Sequence, residues 1–283
     1  MPNVERYTQA REVAVGSIKI GGKNPLALIA GPCVVESLDV MCRIADDIQG
    51  ITSKLGIPYI FKASYDKANK TITGSYRGPG WLEGLEALRQ VKQKTGLPLL
   101  TDVHTEDQVK EAAEVCDVLQ IPALLSKQID LILAAAKTGR PVNMKKGQWT
   151  APWEMTNVVN RLSAEGFKDM LLTERGTSFG FQLLVNDFRS LVIMKSIGKP
   201  VIFDASHSVH GSPVIGEKVG GNREFIPALC RSAVACGVDA LFLEVHPKPD
   251  RALSDAQGTF PLERMSELLS MIQPYAELSR REN

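Results

Sequence analysis

Residues 83–123, EGLEALRQVKQKTGLPLLTDVHTEDQVKEAAEVCDVLQIPA, alternate between two patterns. Over 83–96 and again over 105–116 the apolar residues recur at spacings of three and four, as in helices that bury one face. LLTDV (99–103) and VLQIPA (118–123) are short apolar runs, as in strands covered on both sides. The first helix closes on Gly-Leu-Pro, a glycine for the left-handed terminal turn and a proline that stops it. The same unit repeats in both directions along the chain. With LALIAG (26–31), YIFKAS (59–64), VNMKKG (142–147), MLLTE (170–174), VIFDAS (201–206) and ALFLEV (240–245), the strand-like runs number eight. KLGIP, KTGRP and SIGKP repeat the helix stop, and NREFIPALCRSAVACG is a further helical segment. Eight strands alternating with helices over about 250 residues predict an α/β chain closed into a (β/α)8, or TIM, barrel. The leading REVAVGSIKIGG (11–22) alternates around a glycine and predicts a β-hairpin, within residues 1–25, capping the barrel's N-terminal end. The competing open doubly wound sheet lacks its glycine fingerprint, since IAGPCVVES follows the first strand.

The chain of 283 residues, 44% hydrophobic, has no repeat, low-complexity tract or linker, so one catalytic domain over 1–283 is expected. Its formal charge of +1, from 33 basic and 32 acidic residues, provides no global field for nucleic acid or an anionic membrane. The N-terminal MPNVERYTQAREV lacks the pattern of an export signal, and no run approaches ~18 apolar residues, which points to the cytoplasm. Five dispersed cysteines do not read as a disulfide framework there.

Catalytic groups of such a barrel stand at the C-terminal ends of its strands. Here the runs end in or lead into Cys33, Lys62 and Ser64, Asp102, Gln120, Lys145, Glu174 and Arg175, His207, and Glu244. Taken singly, a lysine there is often solvated and an aspartate often a helix cap. Taken jointly, so many ionic groups at one mouth need ligands or a metal to balance them, because an unpaired buried charge costs several kcal/mol. Cys33, His207 and Glu244 are candidate metal ligands, and a Cys, His and carboxylate mixture suits Zn2+, Fe2+ or Mn2+ rather than Ca2+ or Mg2+. The plain alternatives are a small buried thiol for Cys33 and a carboxylate-bonded ring for His207; His104, His210 and His246 fit the latter better. The HxxH of His207 and His210 is set aside, because no helix is expected between VIFDAS and the glycine-rich loop. Lys62, Lys67, Lys145 and Arg175 suit a doubly anionic substrate. KANKTITGSYRGPG is either a phosphate-gripping lid or an exposed loop.

The motifs IAGPCVVES, FKASYDKAN, SYRGPG, TDVH, LQIPA, KKGQW, TERGTSFGF, FDASHSV and EVHPKPDRALSDA occur in that order, and with them the chain resembles the 3-deoxy-D-manno-octulosonate 8-phosphate (KDO8P) synthase family over roughly residues 26 to 265. The resemblance implies a barrel enzyme, usually tetrameric, that joins phosphoenolpyruvate to arabinose 5-phosphate for the inner sugar of lipopolysaccharide. Cys33 in the GPC motif and the downstream SDA resemble the metal-dependent branch, with Cys33, His207, Glu244 and Asp255 as implied ligands. Lys62, Lys67, Lys145 and Arg175 are implied to hold phosphoenolpyruvate, with Ser64, Asp102 and Gln120 nearby. Lys62, Lys145, His207 and Asp255 are the implied catalytic groups. The related DAHP synthases use erythrose 4-phosphate and carry KPRTS where this chain has KANKT, so Asn69, Lys70 and Thr71 favour the five-carbon aldehyde. Lys70 and Lys127 stand where the family usually has arginine near the aldehyde's phosphate, Lys127 reaching across a subunit interface. That exchange removes two bidentate forks. FQLLVND replaces the more usual YNNLVVD. A non-catalytic sugar-phosphate-binding barrel is the rival from another class.

Overall fold

A computed structural model describes residues 11–68, 70, 73–180, 183–211 and 222–282. The alternating segment at the start is a hairpin of β1 (Val13–Val15) and β2 (Ile18–Ile20), turning at Gly16 with Val13 opposite Ile20. All eight apolar runs are parallel strands: β3 (Ala27–Gly31), β4 (Tyr59–Lys62), β5 (Leu99–Asp102), β6 (Val118–Ile121), β7 (Val142–Lys145), β8 (Met170–Glu174), β11 (Val201–Asp204) and β12 (Ala240–His246). Each pairs with the next, and β12 pairs back onto β3, so the sheet closes into a barrel with no free edge. Five runs extend one or two residues past the C-terminal ends of their strands. Two features lie outside the sequence reading: a short hairpin of β9 (Thr177–Phe179) and β10 (Leu183–Val185) at the mouth, and β13 (Phe260–Pro261) added beside β12.

Between the strands run α1 (Leu38–Leu55), α2 (Trp81–Thr95), α3 (Glu106–Val115), α4 (Ile129–Lys137), α5 (Met155–Ala164) and α6 (Arg189–Lys195), then α7 (Ala205–Ser208), α8 (Ile226–Ala235) and α9 (Met265–Glu282). In each of the four Gly-x-Pro stops the glycine is left-handed, with φ of 65° at Gly56, 68° at Gly96, 74° at Gly139 and 82° at Gly198. The one-turn helix α7 corrects the expectation that no helix follows VIFDAS. Asp204 caps it by accepting from the His207 amide at 2.9 Å, a local bond that four residues supply without any periodicity.

The twofold period of a strand divides each run between two cores. Leu28, Phe61, Leu119 and Leu243 face outward into the layer shared with the helices. Ile29, Ile60, Leu100, Val118, Leu171, Ile202 and Phe242 face inward and pack on Val13, Val15 and Ile20 of the hairpin, which seals the N-terminal end. Two residues further along, the next inward position is polar in run after run: Lys62 after Ile60, Asp102 after Leu100, Gln120 after Val118, Thr173 after Leu171, Asp204 after Ile202 and Glu244 after Phe242. The barrel is therefore oily below and ionic above. No helix among the described residues is long and apolar enough to cross a membrane.

Candidate active site

Two of the inward polar positions, Lys62 and Asp102, border a cavity of about 280 Å³ at the C-terminal mouth, whose walls also include Lys67, Lys145, Arg175 and His207. Lys62 is 1% exposed, with Nζ donating to Glu244 Oε1 at 2.8 Å and to the Cys33 carbonyl at 2.9 Å. Lys67 Nζ lies 3.5 Å from the same Glu244 oxygen. Lys145 Nζ donates to Asp204 and lies 3.8 Å from the centre of the Phe242 ring, a cation–π contact. Arg175 follows β8, and its backbone is held by Glu174 Oε1, which accepts from the amides of Arg175 and Gly176 at 2.9 and 2.8 Å.

Burial and charge oppose each other throughout this mouth. For Asp102, burial favours the neutral acid, but Lys62, Lys67 and Lys145 together outweigh it and hold the carboxyl well below its usual range. Glu244 is likewise buried yet held low by Lys62, Lys67 and His207. Burial lowers Lys145 and Arg175 against the pull of Asp204. For Lys67 burial is outweighed by Cys33, Glu244 and Asp102, so its ammonium is strengthened.

A chain of side-chain hydrogen bonds runs round five strands just inside the cavity. Thr173 Oγ1 donates to Asn143 Oδ1 at 2.6 Å, Asn143 Nδ2 to Gln120 Oε1 at 2.8 Å, and Gln120 Nε2 to Asp102 Oδ1 at 2.6 Å. Ser64 Oγ closes the chain by donating to Asp102 Oδ2. With both carboxylate oxygens engaged from the sides, Asp102 keeps a fixed orientation toward the lysines.

Beside the cations, Cys33, Glu244 and Asp255 bring one ligand atom each to within 4.8 Å of one another. Cys33 Sγ donates to Asp255 Oδ2 at 3.2 Å, and its thiol is pushed well up by burial and by the Asp255 and Glu244 carboxylates. Glu244 Oε2 is buried with no hydrogen-bond partner among the described residues. His207, the fourth ligand expected from the sequence, borders this cluster without joining it, Nε2 3.8 Å from Glu244 Oε1, while Nδ1 lies 2.8 Å from Asp204 Oδ2. A carboxylate behind the imidazole, leaving the other nitrogen forward, is the usual support of a metal-ligating histidine. Asp255 is the one described non-glycine residue with positive φ, 50°, a costly conformation held by Gly258 N and Thr259 Oγ1 bonding its carbonyl at 3.0 Å each. An orphaned buried oxygen, a thiol awaiting deprotonation and a strained carboxylate fit a divalent transition metal.

Of the residues singled out in the sequence, Cys33, Lys62, Ser64, Lys67, Asp102, Gln120, Lys145, Arg175, His207, Glu244 and Asp255 gather at this mouth. Lys70 joins them, its Nζ 2.6 Å from Asp255 Oδ1. Asn69 and Thr71 lie outside the described residues, as do Phe181 and Gln182 of FQLLVND. Lys127 does not reach the cavity of its own chain; it is 59% exposed and pairs with Glu154 Oε2 at 2.9 Å. The segment after β4 is tied down at Arg77, which forks onto Asp66 at 3.0 and 2.8 Å. His246 does bond a carboxylate, Glu36, at 3.3 Å, whereas His104 stacks edge-on against Tyr65. His210 packs against His207 with ring centres 5.0 Å apart, and burial pushes it down to about 4, so it stays neutral.

The sequence reading missed Asp204, Asn143 and Lys146. Asp204, at 0% exposure, links Lys145 to His207. Its one signal was an aspartate at the inward register of an apolar run. Lys146 is wholly buried beside Glu174 at 3.4 Å and donates to the Gly147 and Thr150 carbonyls at 3.2 Å each, bracing the turn that carries Arg175.

A closed (β/α)8 barrel with a polycationic cavity beside a thiol and carboxylate cluster defines an enzyme built to hold multiply anionic substrates. The chain belongs to the DAHP synthetase I family, whose model matches residues 5–280. It is 52% identical to the 2-dehydro-3-deoxyphosphooctonate aldolase of Pelobacter propionicus over 263 residues, 93% of this chain and 97% of that protein. The enzyme of the same name from Geobacter metallireducens matches at 52% over the same share of each chain, and that of a Cyanothece species at 52% over 90% of this chain and 93% of its own.

Proposed function

We propose that this protein is a KDO8P synthase, condensing phosphoenolpyruvate with D-arabinose 5-phosphate and water to give 3-deoxy-D-manno-octulosonate 8-phosphate and phosphate, in lipopolysaccharide biosynthesis. The observation that carries this is the set of cations, buried Lys62, Lys67 and Lys145 and half-buried Arg175, facing one cavity with Asp102. The relatives' shared name supports the octulosonate product over the DAHP reaction with erythrose 4-phosphate.

In the reaction C3 of phosphoenolpyruvate attacks the aldehyde carbon, water adds at C2, and the C2–O bond to phosphate breaks. The four cations bind the phosphate and carboxylate of phosphoenolpyruvate and fix it against the aldehyde, which supplies proximity and offsets charge at the reacting end. To Lys145, its acidity raised by burial, we assign the transfer of a proton to the aldehyde oxygen as the new bond forms. Ser64, Asp102 and Gln120 orient the bound molecule through their shared hydrogen-bond chain. Asn69, Lys70 and Thr71 are assigned to the aldehyde's phosphate.

We place the protein in the metal-dependent branch, one Fe2+, Zn2+ or Mn2+ per subunit held by Cys33, His207, Glu244 and Asp255. When bound, the ion supplies Lewis acidity that orients an oxygen ligand or lowers the pKa of water. The donor set supports this through its thiol and its orphaned Glu244 oxygen. We also read residues 1–283 as one cytoplasmic domain, consistent with five free cysteines, and the protein as a homotetramer. Exposed Trp149, Trp153 and Phe179 around the mouth, at 50, 54 and 77% exposure, supply apolar surface for subunit contact. In that assembly Lys127 would serve a neighbouring subunit's cavity.

The test is chelation followed by repletion. Activity lost to thorough chelation and restored by Fe2+, Zn2+ or Mn2+, with His207→Ala folded but inactive, is the expected result. Full activity in the chelated protein would remove it from the metal-dependent branch.

A further inference from the structure

We propose that Lys70 occupies the metal's Asp255 ligand until a divalent ion arrives, and that metal loading frees this ammonium into the substrate mouth. The proposal rests on the metal reading above. Three ammonium groups stand on the two carboxylates of the cluster, but they are not equally able to leave. Lys62, with a side chain 1% exposed, is also tied to the Cys33 carbonyl at 2.9 Å. Lys67 is 9% exposed. Lys70 is 21% exposed and sits on the segment whose Asp66, Lys67 and Ala68 border the cavity, so it has somewhere to go.

Asp255 divides its oxygens between a neutral thiol and an ammonium. Oδ2 takes the Cys33 thiol proton at 3.2 Å, and Oδ1 takes Lys70 Nζ at 2.6 Å. A dication replacing the thiol proton brings two positive charges and leaves a Cys33 thiolate, a net gain of one positive charge beside Asp255, and the cation there with room to leave is Lys70. Asp255 itself does not depend on Lys70 for its position, because its backbone is pinned by Gly258 N and Thr259 Oγ1. Removing the ammonium therefore leaves the ligand in place and more available. By linkage, whatever metal does to Lys70, Lys70 does to metal.

The experiment titrates the full-length chelated protein with Co2+, following the thiolate-to-cobalt charge-transfer band, with Cys33→Ala as the control that should lack it. Lys70→Met is expected to bind cobalt roughly tenfold more tightly than the parent, and Lys70→Arg, which keeps the charge, about as weakly as the parent. Lys70→Gln repeats the neutral variant, and circular dichroism verifies that each is folded. In the parent protein, acetylation of Lys70, read by mass spectrometry, should rise severalfold on cobalt loading while Lys62 stays protected. A cobalt band with equal or weaker affinity in both neutral variants, or Lys70 labelling unmoved by cobalt, would overturn the role of Lys70 and leave the metal site standing. No Cys33-dependent band in any variant would remove the metal site, and the proposal with it.

Discussion

Replacing Asp204 with asparagine changes one charge and almost no volume, at a position with 0% exposure. The carboxylate holds the Lys145 ammonium, the His207 ring at 2.8 Å and the His207 amide at 2.9 Å. The amide oxygen can keep the last of these, but Lys145 is left with the Phe242 face and the more distant Asp102 as compensation. Removing one partner of a buried pair costs about 3–5 kcal/mol, and the retained cap places this variant near the lower figure. Against a total of roughly 5–15 kcal/mol that is a large share. At about 2–4 °C per kcal/mol, calorimetry should show the unfolding midpoint falling by roughly 6–12 °C. The double variant with Lys145→Met removes both charges and should be less destabilised than the sum of the single variants by about 2 kcal/mol. A carboxamide can also donate to His207 Nδ1 and turn the ring's other nitrogen into a donor, so metal affinity should fall by about 10–100-fold. Asp204→Asn within about 1 kcal/mol of the parent, with additive double-variant energies, would refute the claim that this buried pair organises the mouth.

Gly31→Ala would place a Cβ 2.0 Å from the Lys62 carbonyl oxygen, a backbone atom that cannot step aside, so β3 and β4 must part where Cys33 and Lys62 stand. A loss of about 3 kcal/mol is expected in thermal unfolding, and an unshifted midpoint would show that the strands are not in van der Waals register there. His210 has a folded pKa lowered to about 4, against about 6.5 unfolded, so the unfolded chain takes the proton first. Its contribution to stability is complete above pH ~6.5 and declines by roughly 3 kcal/mol as pH falls to ~4, a slope that His210→Gln should abolish and whose persistence would reassign it. Lys127→Ala loses an exposed ion pair worth about 0–1 kcal/mol, yet it should raise KM for arabinose 5-phosphate severalfold through a neighbouring subunit; an unchanged KM removes Lys127 from the site.

The barrel was legible because parallel strands covered on both faces are apolar without interruption, and because Gly-x-Pro stops every few dozen residues punctuate the helices between them. What escaped was too short to carry a period: the turn of α7 after β11, and the three-residue strands of the β9 and β10 hairpin. The site was legible wherever a residue was a charge at the end of an apolar run, as with Lys62, Asp102, Lys145 and Glu244. Asp204 sits in the same register but was passed over for His207, three residues on, since ion pairing across strands leaves no mark on spacing. Lys146 adjoins Lys145, and pleat direction alone decides which of the two faces the cavity. Lys127 was drawn toward the site by resemblance, whereas in its own chain it answers to Glu154.

The most direct test of the account is phosphate release from phosphoenolpyruvate in the presence of arabinose 5-phosphate and, separately, erythrose 4-phosphate, with the eight-carbon product confirmed by mass. Release that requires the five-carbon aldehyde, with little from the four-carbon one, is the predicted result. Preference for erythrose 4-phosphate, or no release with either aldehyde in the metal-loaded protein, would contradict it.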